Sequence, residues 1–127
     1  MWPPLPMWQE RPHSHACSHN RGKPTGSSAL ISKDKGKTWK TSRSGYLSAR
    51  GTRYLIEGTV AELSDGKVLQ LYRSGGTELW RSESNDAGNT WSAATRSGVP
   101  NPNAKVDMTR LNDGRLVLAF NDVSGGG

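Results

Sequence analysis

An eight-residue pattern that occurs twice constrains this chain more than any other feature. Ser32-Lys-Asp34-Lys-Gly36-Lys-Thr38-Trp39 returns as Ser84-Asn-Asp86-Ala-Gly88-Asn-Thr90-Trp91, at an offset of 52 residues. A second, unrelated pattern repeats at nearly the same interval. Ala61-Glu-Leu63-Ser-Asp65-Gly66-Lys-Val68-Leu69 is echoed by Thr109-Arg-Leu111-Asn-Asp113-Gly114-Arg-Leu116-Val117, at an offset of 48. Two motifs sharing one period indicate a structural unit of about 50 residues, repeated along the chain. That length suits four short antiparallel strands joined by tight turns. The predicted fold class is therefore all-β, a β-propeller built from four-stranded blades.

The strands of one unit can be placed. Thr59–Leu63 alternates as a strand, Asp65-Gly66 is a hairpin turn, and Lys67–Arg73 is the returning strand. Ser74-Gly-Gly76 turns the chain again, Glu78–Ser82 is a third strand, and a fourth is expected near Trp91. Residues 29–127 should then hold the end of one blade, one whole blade and the first hairpin of a third, which is about two blades of a partial propeller. The chain stops in Ser124-Gly-Gly-Gly127, where the next strand is due, and is expected to be too short to close a ring by itself. Repeat units bury their faces against neighbours, so an isolated piece should melt broadly, or cover its open faces by self-association to complete the propeller.

Residues 1–28 differ from the rest. They carry all three histidines and no apolar period, and are expected to form a disordered or atypical leader. No basic stretch followed by a continuous apolar run is present, so neither a signal peptide nor a membrane span is expected, and the compartment stays open. The single cysteine, Cys17, excludes an intrachain disulfide. His13-Ser-His15-Ala-Cys17-Ser-His19 gathers metal-capable groups, but the alternating spacing is not that of a structural zinc site, and no metal or other cofactor is expected. The net charge is +6, a balance that suits nucleic acid or an anionic glycan. The cations are spread through the sequence with no arginine-rich helix, so they read as a solvated basic surface and nucleic acid is not expected as a partner.

The octapeptide makes sense as a turn. The Asp carboxylate can accept backbone N–H bonds within its own turn, the Gly can adopt positive φ, and the Trp buries a large apolar surface between neighbouring sheets. None of this needs a substrate. Ser32, Asp34, Gly36, Thr38, Trp39 and Ser84, Asp86, Gly88, Thr90, Trp91 are accordingly scaffold residues.

These motifs resemble a known family. The octapeptides, at 32–39 and 84–91, look like Asp boxes. The stretch Ile56–Ser74, followed by Leu79–Ser84, is similar to the sialidase (neuraminidase) superfamily. Val99-Pro-Asn-Pro-Asn-Ala104 and Arg110–Asn121 resemble its bacterial-type branch with BNR repeats. The resemblance implies a six-bladed propeller and exo-glycosidase activity on terminal sialic acids in the whole domain. It also implies a tyrosine nucleophile with a glutamate base, an aspartate acid/base and three arginines holding the substrate carboxylate. A guanidinium suits that last role because it binds a carboxylate bidentately.

Two positions match. Glu57 falls where the family places its base, and Arg73 where one triad arginine ends the returning strand. Glu57 and Arg73 lie eight residues on either side of Asp65, so a tight hairpin would bring them nearly cross-strand, at the end away from the turn. The same pair also suits an ordinary cross-strand ion pair. The aspartate, the nucleophile and the third arginine have no match here. Tyr46, Tyr54 and Tyr72 are not in the nucleophile's place, and Arg50 and Arg53 align with no triad member. Asn101-Pro-Asn103 enters the third blade and reads as turn chemistry, with the pocket rim as the alternative. The chain by itself is expected to be inactive, its partner in the active context being an acidic sugar or sialoglycoconjugate. A non-catalytic Asp-box module that binds glycans or proteins is the other reading.

Overall fold

The computed structural model describes residues 7–12, 26–45 and 47–122. His13–His19, Tyr46 and Ser124–Gly127 lie outside the described residues. Among those described the chain is all-β, with nine strands in three antiparallel sheets. These are β1 (Met7–Pro12), β2 (Ser27–Ser32), β3 (Lys40–Thr41), β4 (Leu55–Glu62), β5 (Val68–Ser74), β6 (Glu78–Ser84), β7 (Thr95–Pro100), β8 (Asp107–Arg110) and β9 (Leu116–Ala119). The four-stranded sheet runs β4-β5-β6-β7 in chain order, a complete meander and one whole blade. The sheet β8-β9 is the first hairpin of the next blade.

Within the span expected as a disordered or atypical leader, Met7–Pro12 forms β1, which pairs antiparallel with β2 in the three-stranded sheet β1-β2-β3. The stretch has no apolar period, so its pairing with β2 is what marks it as a strand. The fourth strand of the whole blade starts at Thr95, four residues beyond Trp91. Trp91 is instead committed to its turn and to the sheet-to-sheet core, while Ser92 N–H bonds Glu83 O at 2.8 Å and begins the approach to β6.

Both Asp-Gly hairpins form the same three-residue loop. Leu63 N–H bonds Lys67 O at 2.7 Å and Gly66 N–H bonds Leu63 O at 3.0 Å, with Asp65 Oδ1 accepting Lys67 N–H. Leu111 to Arg115 repeats this with bonds of 2.8 and 3.0 Å. A glycine with φ of 86° or 90° closes each loop, in a region that a Cβ disfavours.

The two Asp boxes superimpose bond for bond. In each, the Ser hydroxyl accepts the Gly N–H at 2.7 Å and donates to Asp Oδ1 at 2.9 Å. The Asp carboxylate takes the Thr N–H at 2.8 Å and the Thr hydroxyl at 2.6 Å. The Trp indole closes the turn onto the Gly carbonyl. The turn also needs two successive left-handed residues, Lys35-Gly36 and Ala87-Gly88. The two tryptophans differ, however. Trp91 is buried with Ala29 of β2 and Val68 of β5, which joins the first two sheets. Trp39 is only half-buried, so the large burial expected of it is not realised.

A second core joins the second and third sheets: Ala61, Leu71 and Leu79 pack on Val106 and Met108. Trp80 packs with Leu55 and Tyr72 of its own sheet and with Ala49 of the connection between the first two sheets. The Tyr72 hydroxyl is fully buried and bonds Gln70 Oε1 at 2.7 Å.

Candidate functional site

Strand β4 is where the three sheets converge, since it lies against both β1 and β8. Thr59 Oγ1 fastens β4 to β8, accepting Met108 N–H at 3.1 Å and donating to Asp107 Oδ1 at 3.2 Å. The first strand of a blade is thus its innermost, and its start is where Glu57 sits. From Glu62 back to Thr59 the β4–β5 register is regular, and continued unbroken it would set Glu57 opposite Arg73. It does not continue. The register shifts between Ile56 and Thr59, so Arg73 pairs with Ile56, and Glu57-Gly58 together face Tyr72. This is a β-bulge, and its first residue, Glu57, has φ of 48°. A left-handed conformation at a non-glycine residue costs roughly 1–2 kcal/mol and is characteristic of sites where geometry is imposed.

The bulge re-aims Glu57 without losing its partner. Glu57 Oε2 lies 2.8 Å from Arg73 Nη1, with both side chains about one-third exposed or less. That hydrogen bond is the largest cause of a raised Arg73 pKa, which its partial desolvation opposes, so the guanidinium is permanently charged. Sequence reasoning therefore placed this pair correctly in space, by a register that the structure modifies.

Two further residues join them. Asn103 Oδ1 accepts Arg73 Nε–H at 2.9 Å and the Tyr54 hydroxyl at 2.7 Å. Asn103 comes from the loop between β7 and β8 and also has positive φ, 60°. Asn101 performs the turn work expected of this loop, its Oδ1 capping Ala104 N–H and its own N–H bonding Thr77 O. Tyr54 is set by Thr52, whose hydroxyl donates to Tyr54 O and accepts Gly75 N–H, both at 3.1 Å. The only sequence signals for this pair were the Asn-Pro-Asn motif and a tyrosine three residues before Glu57. Arg50 and Arg53 are exposed on the same connection and form no ion pair among the described residues.

The Asp-box residues sit elsewhere. Ser84 is the β-partner of Val68, beside the Asp65 hairpin, whereas Leu55 pairs with Ser74 at the opposite end of the sheet. Glu57 and Arg73 are at that opposite end, so the boxes take no part in the site. No cluster of three metal-capable side chains occurs among the described residues, and no helix there is long and apolar enough to cross a membrane.

The family profile described as a BNR repeat-like domain matches residues 7–125. Among solved structures, a protein of unknown function from Dyadobacter fermentans matches with a TM-score of 0.64 at 29% identity, over 76% of this chain and 26% of that one. A point mutant of the NanB sialidase from Streptococcus pneumoniae matches with a TM-score of 0.58 at 28% identity, over 76% of this chain and 16% of that one. A sialidase from Trypanosoma rangeli, at 20% identity, TM-score 0.50 and 72% and 15% coverage, supports the fold alone. The chain spans between 15% and 26% of the length of these structures. No curated protein matches it.

Proposed function

This chain belongs to the BNR repeat-like domain family of the sialidase superfamily, and on that basis we propose that it is the part of a sialidase-like domain that holds the carboxylate of an acidic sugar. The observation that carries the reading is the Glu57–Arg73–Asn103 array at the inner edge of the blade. Arg73 spends Nη1 on Glu57 and Nε on Asn103. Both bonds fix the guanidinium plane, with the Tyr54 side chain as a further neighbour, and Nη2 takes part in neither of them. A guanidinium anchored on two sides binds a carboxylate with little further loss of side-chain entropy.

In the whole domain the reaction is hydrolysis of a terminal sialic acid or a closely related acidic sugar. Arg73 is then one of the carboxylate-holding arginines. Glu57 is the base toward a tyrosine contributed by another part of the domain, with Oε1 accepting the phenolic proton while Oε2 stays on Arg73. The aspartate acid/base, the nucleophile and the remaining arginines must also come from elsewhere, so this chain by itself binds without turning over.

The test is a fluorogenic sialoside assay on the longer protein. Arg73→Ala is expected to raise KM, and Glu57→Gln to lower kcat. Activity unmoved by either change would overturn the assignment. A specific observation favours a second reading, a non-catalytic glycan-binding module. Glu57 and Tyr54 are already engaged by Arg73 and Asn103. Under that reading the longer protein binds sialosides and hydrolyses none.

A further inference from the structure

The two Asp boxes form the same turn and differ in the side chains that the turn does not use. At the positions the turn leaves free, the first box carries Lys33, Lys35 and Lys37, followed by Lys40. The second carries Asn85, Ala87 and Asn89, followed by Ser92. The hydrogen bonds of the two turns agree within a few tenths of an ångström. The lysines are therefore not needed to make the turn. Crowding four like charges onto so few residues costs repulsion that the second box avoids.

Lys33 and Lys40 line a groove of about 460 Å³ between the two boxes, with Arg43, Thr38, Thr41 and Asn89. Arg43 N–H bonds Asn89 O at 2.7 Å, which fixes the groove between the sheets. All five cations are exposed, and among the described residues none forms an ion pair, whereas Lys67, Arg73, Arg81, Arg96 and Arg115 all do. Asp34 also lines the groove, but its oxygens are spent on Ser32 and Thr38 within the turn. Three cations, Lys33, Lys40 and Arg43, thus share the groove with one carboxylate already committed elsewhere, and Lys35 and Lys37 stand nearby on the same turn.

We propose that this groove is a binding site for an anionic glycan chain, one bearing sulfate or carboxylate groups. It is separate from the Arg73 site, at the other end of strands some 20 Å long. Cations of this density select a polyanion. The volume fits one or two sugar rings, and Thr38, Thr41 and Asn89 offer the hydroxyl and amide groups that sugars recognise. The groove has no aromatic face for stacking a base, which separates it from a single-stranded nucleic-acid site.

The test measures binding of a heparin-derived tetrasaccharide to the 127-residue chain, or to a longer protein containing it, by calorimetry near physiological salt. K33N/K40S replaces two groove lysines, and K105S/R110S removes the same charge elsewhere. The first variant is expected to weaken binding about tenfold or more and the second about twofold or less. K33N/K35A/K37N/K40S, which copies the residue types of the second box onto the first, should keep the turn and the circular-dichroism spectrum while abolishing binding. Equal losses in the two double variants would reduce the effect to net charge and overturn the proposal. So would no measurable binding by the wild type, or tighter binding of a thymidine decanucleotide than of the glycan.

Discussion

Glu57 and Arg73 are 2.8 Å apart through their side chains although Ile56, and not Glu57, is the backbone partner of Arg73. A bulge in β4 inserts one residue and puts Glu57 in the left-handed region with φ of 48°. The backbone thus meets a conformational cost at one residue of the pair.

That cost is measurable. Glu57→Gly and Glu57→Ala both remove the ion pair, but only glycine removes the strain. The glycine variant should be more stable than the alanine variant by about 1 kcal/mol. Chemical denaturation of both variants checks this, and equal stabilities would show that the bulge is unstrained.

Asn103 should matter to ligand binding more than to stability. Its Oδ1 accepts from both Arg73 Nε–H and the Tyr54 hydroxyl. Asn103→Ala should weaken binding of N-acetylneuraminate by roughly three- to tenfold, a loss of about 1 kcal/mol, because the guanidinium loses one of its two anchors. Tyr54→Phe, which leaves the Arg73–Asn103 bond in place, should have a smaller effect. Titration followed by NMR separates the two.

Acid should loosen the Asp boxes. The Asp34 and Asp86 carboxyls are held below their ordinary value of 3.8, first by the Thr38 and Thr90 hydroxyls and then by the backbone N–H groups of the same residues. Asp113 is held down in the same sense by Arg115. A group whose pKa is lower folded than unfolded stabilises the fold above the unfolded value. That stabilisation fades as pH falls through the folded one. The melting temperature should therefore be flat above about pH 5 and fall below about pH 4. Asp86→Asn should melt lower at neutral pH and show a shallower acid dependence.

The two box tryptophans should differ in weight. Trp91 is buried between two sheets, whereas Trp39 makes the same turn but stays half-exposed. Trp91→Ala should cost about 3–5 kcal/mol, and Trp39→Ala clearly less. Leu79→Ala, in the core between the second and third sheets, should cost about 2–5 kcal/mol. Thermal melts of the three variants give the order.

The features legible in the sequence are those closed by short-range bonds. The Asp boxes and Asp-Gly hairpins repeat at a fixed interval because each turn satisfies its own donors within a few residues, whatever surrounds it. Strand alternation then places β4, β5 and β6, and symmetry about Asp65 brings Glu57 and Arg73 to one end. The long-range features were decided by packing. Asn103 meets Tyr54 across 49 residues of chain and Arg73 across 30, and no local propensity encodes a contact that exists only once two sheets are stacked. The bulge at Glu57, the pairing of β1 in a stretch without apolar period, and the seating of Arg43 on Asn89 that shapes the groove beside Lys33 and Lys40 are of the same kind. Each depends on where a neighbouring sheet stands, which the order of residues along one strand does not specify.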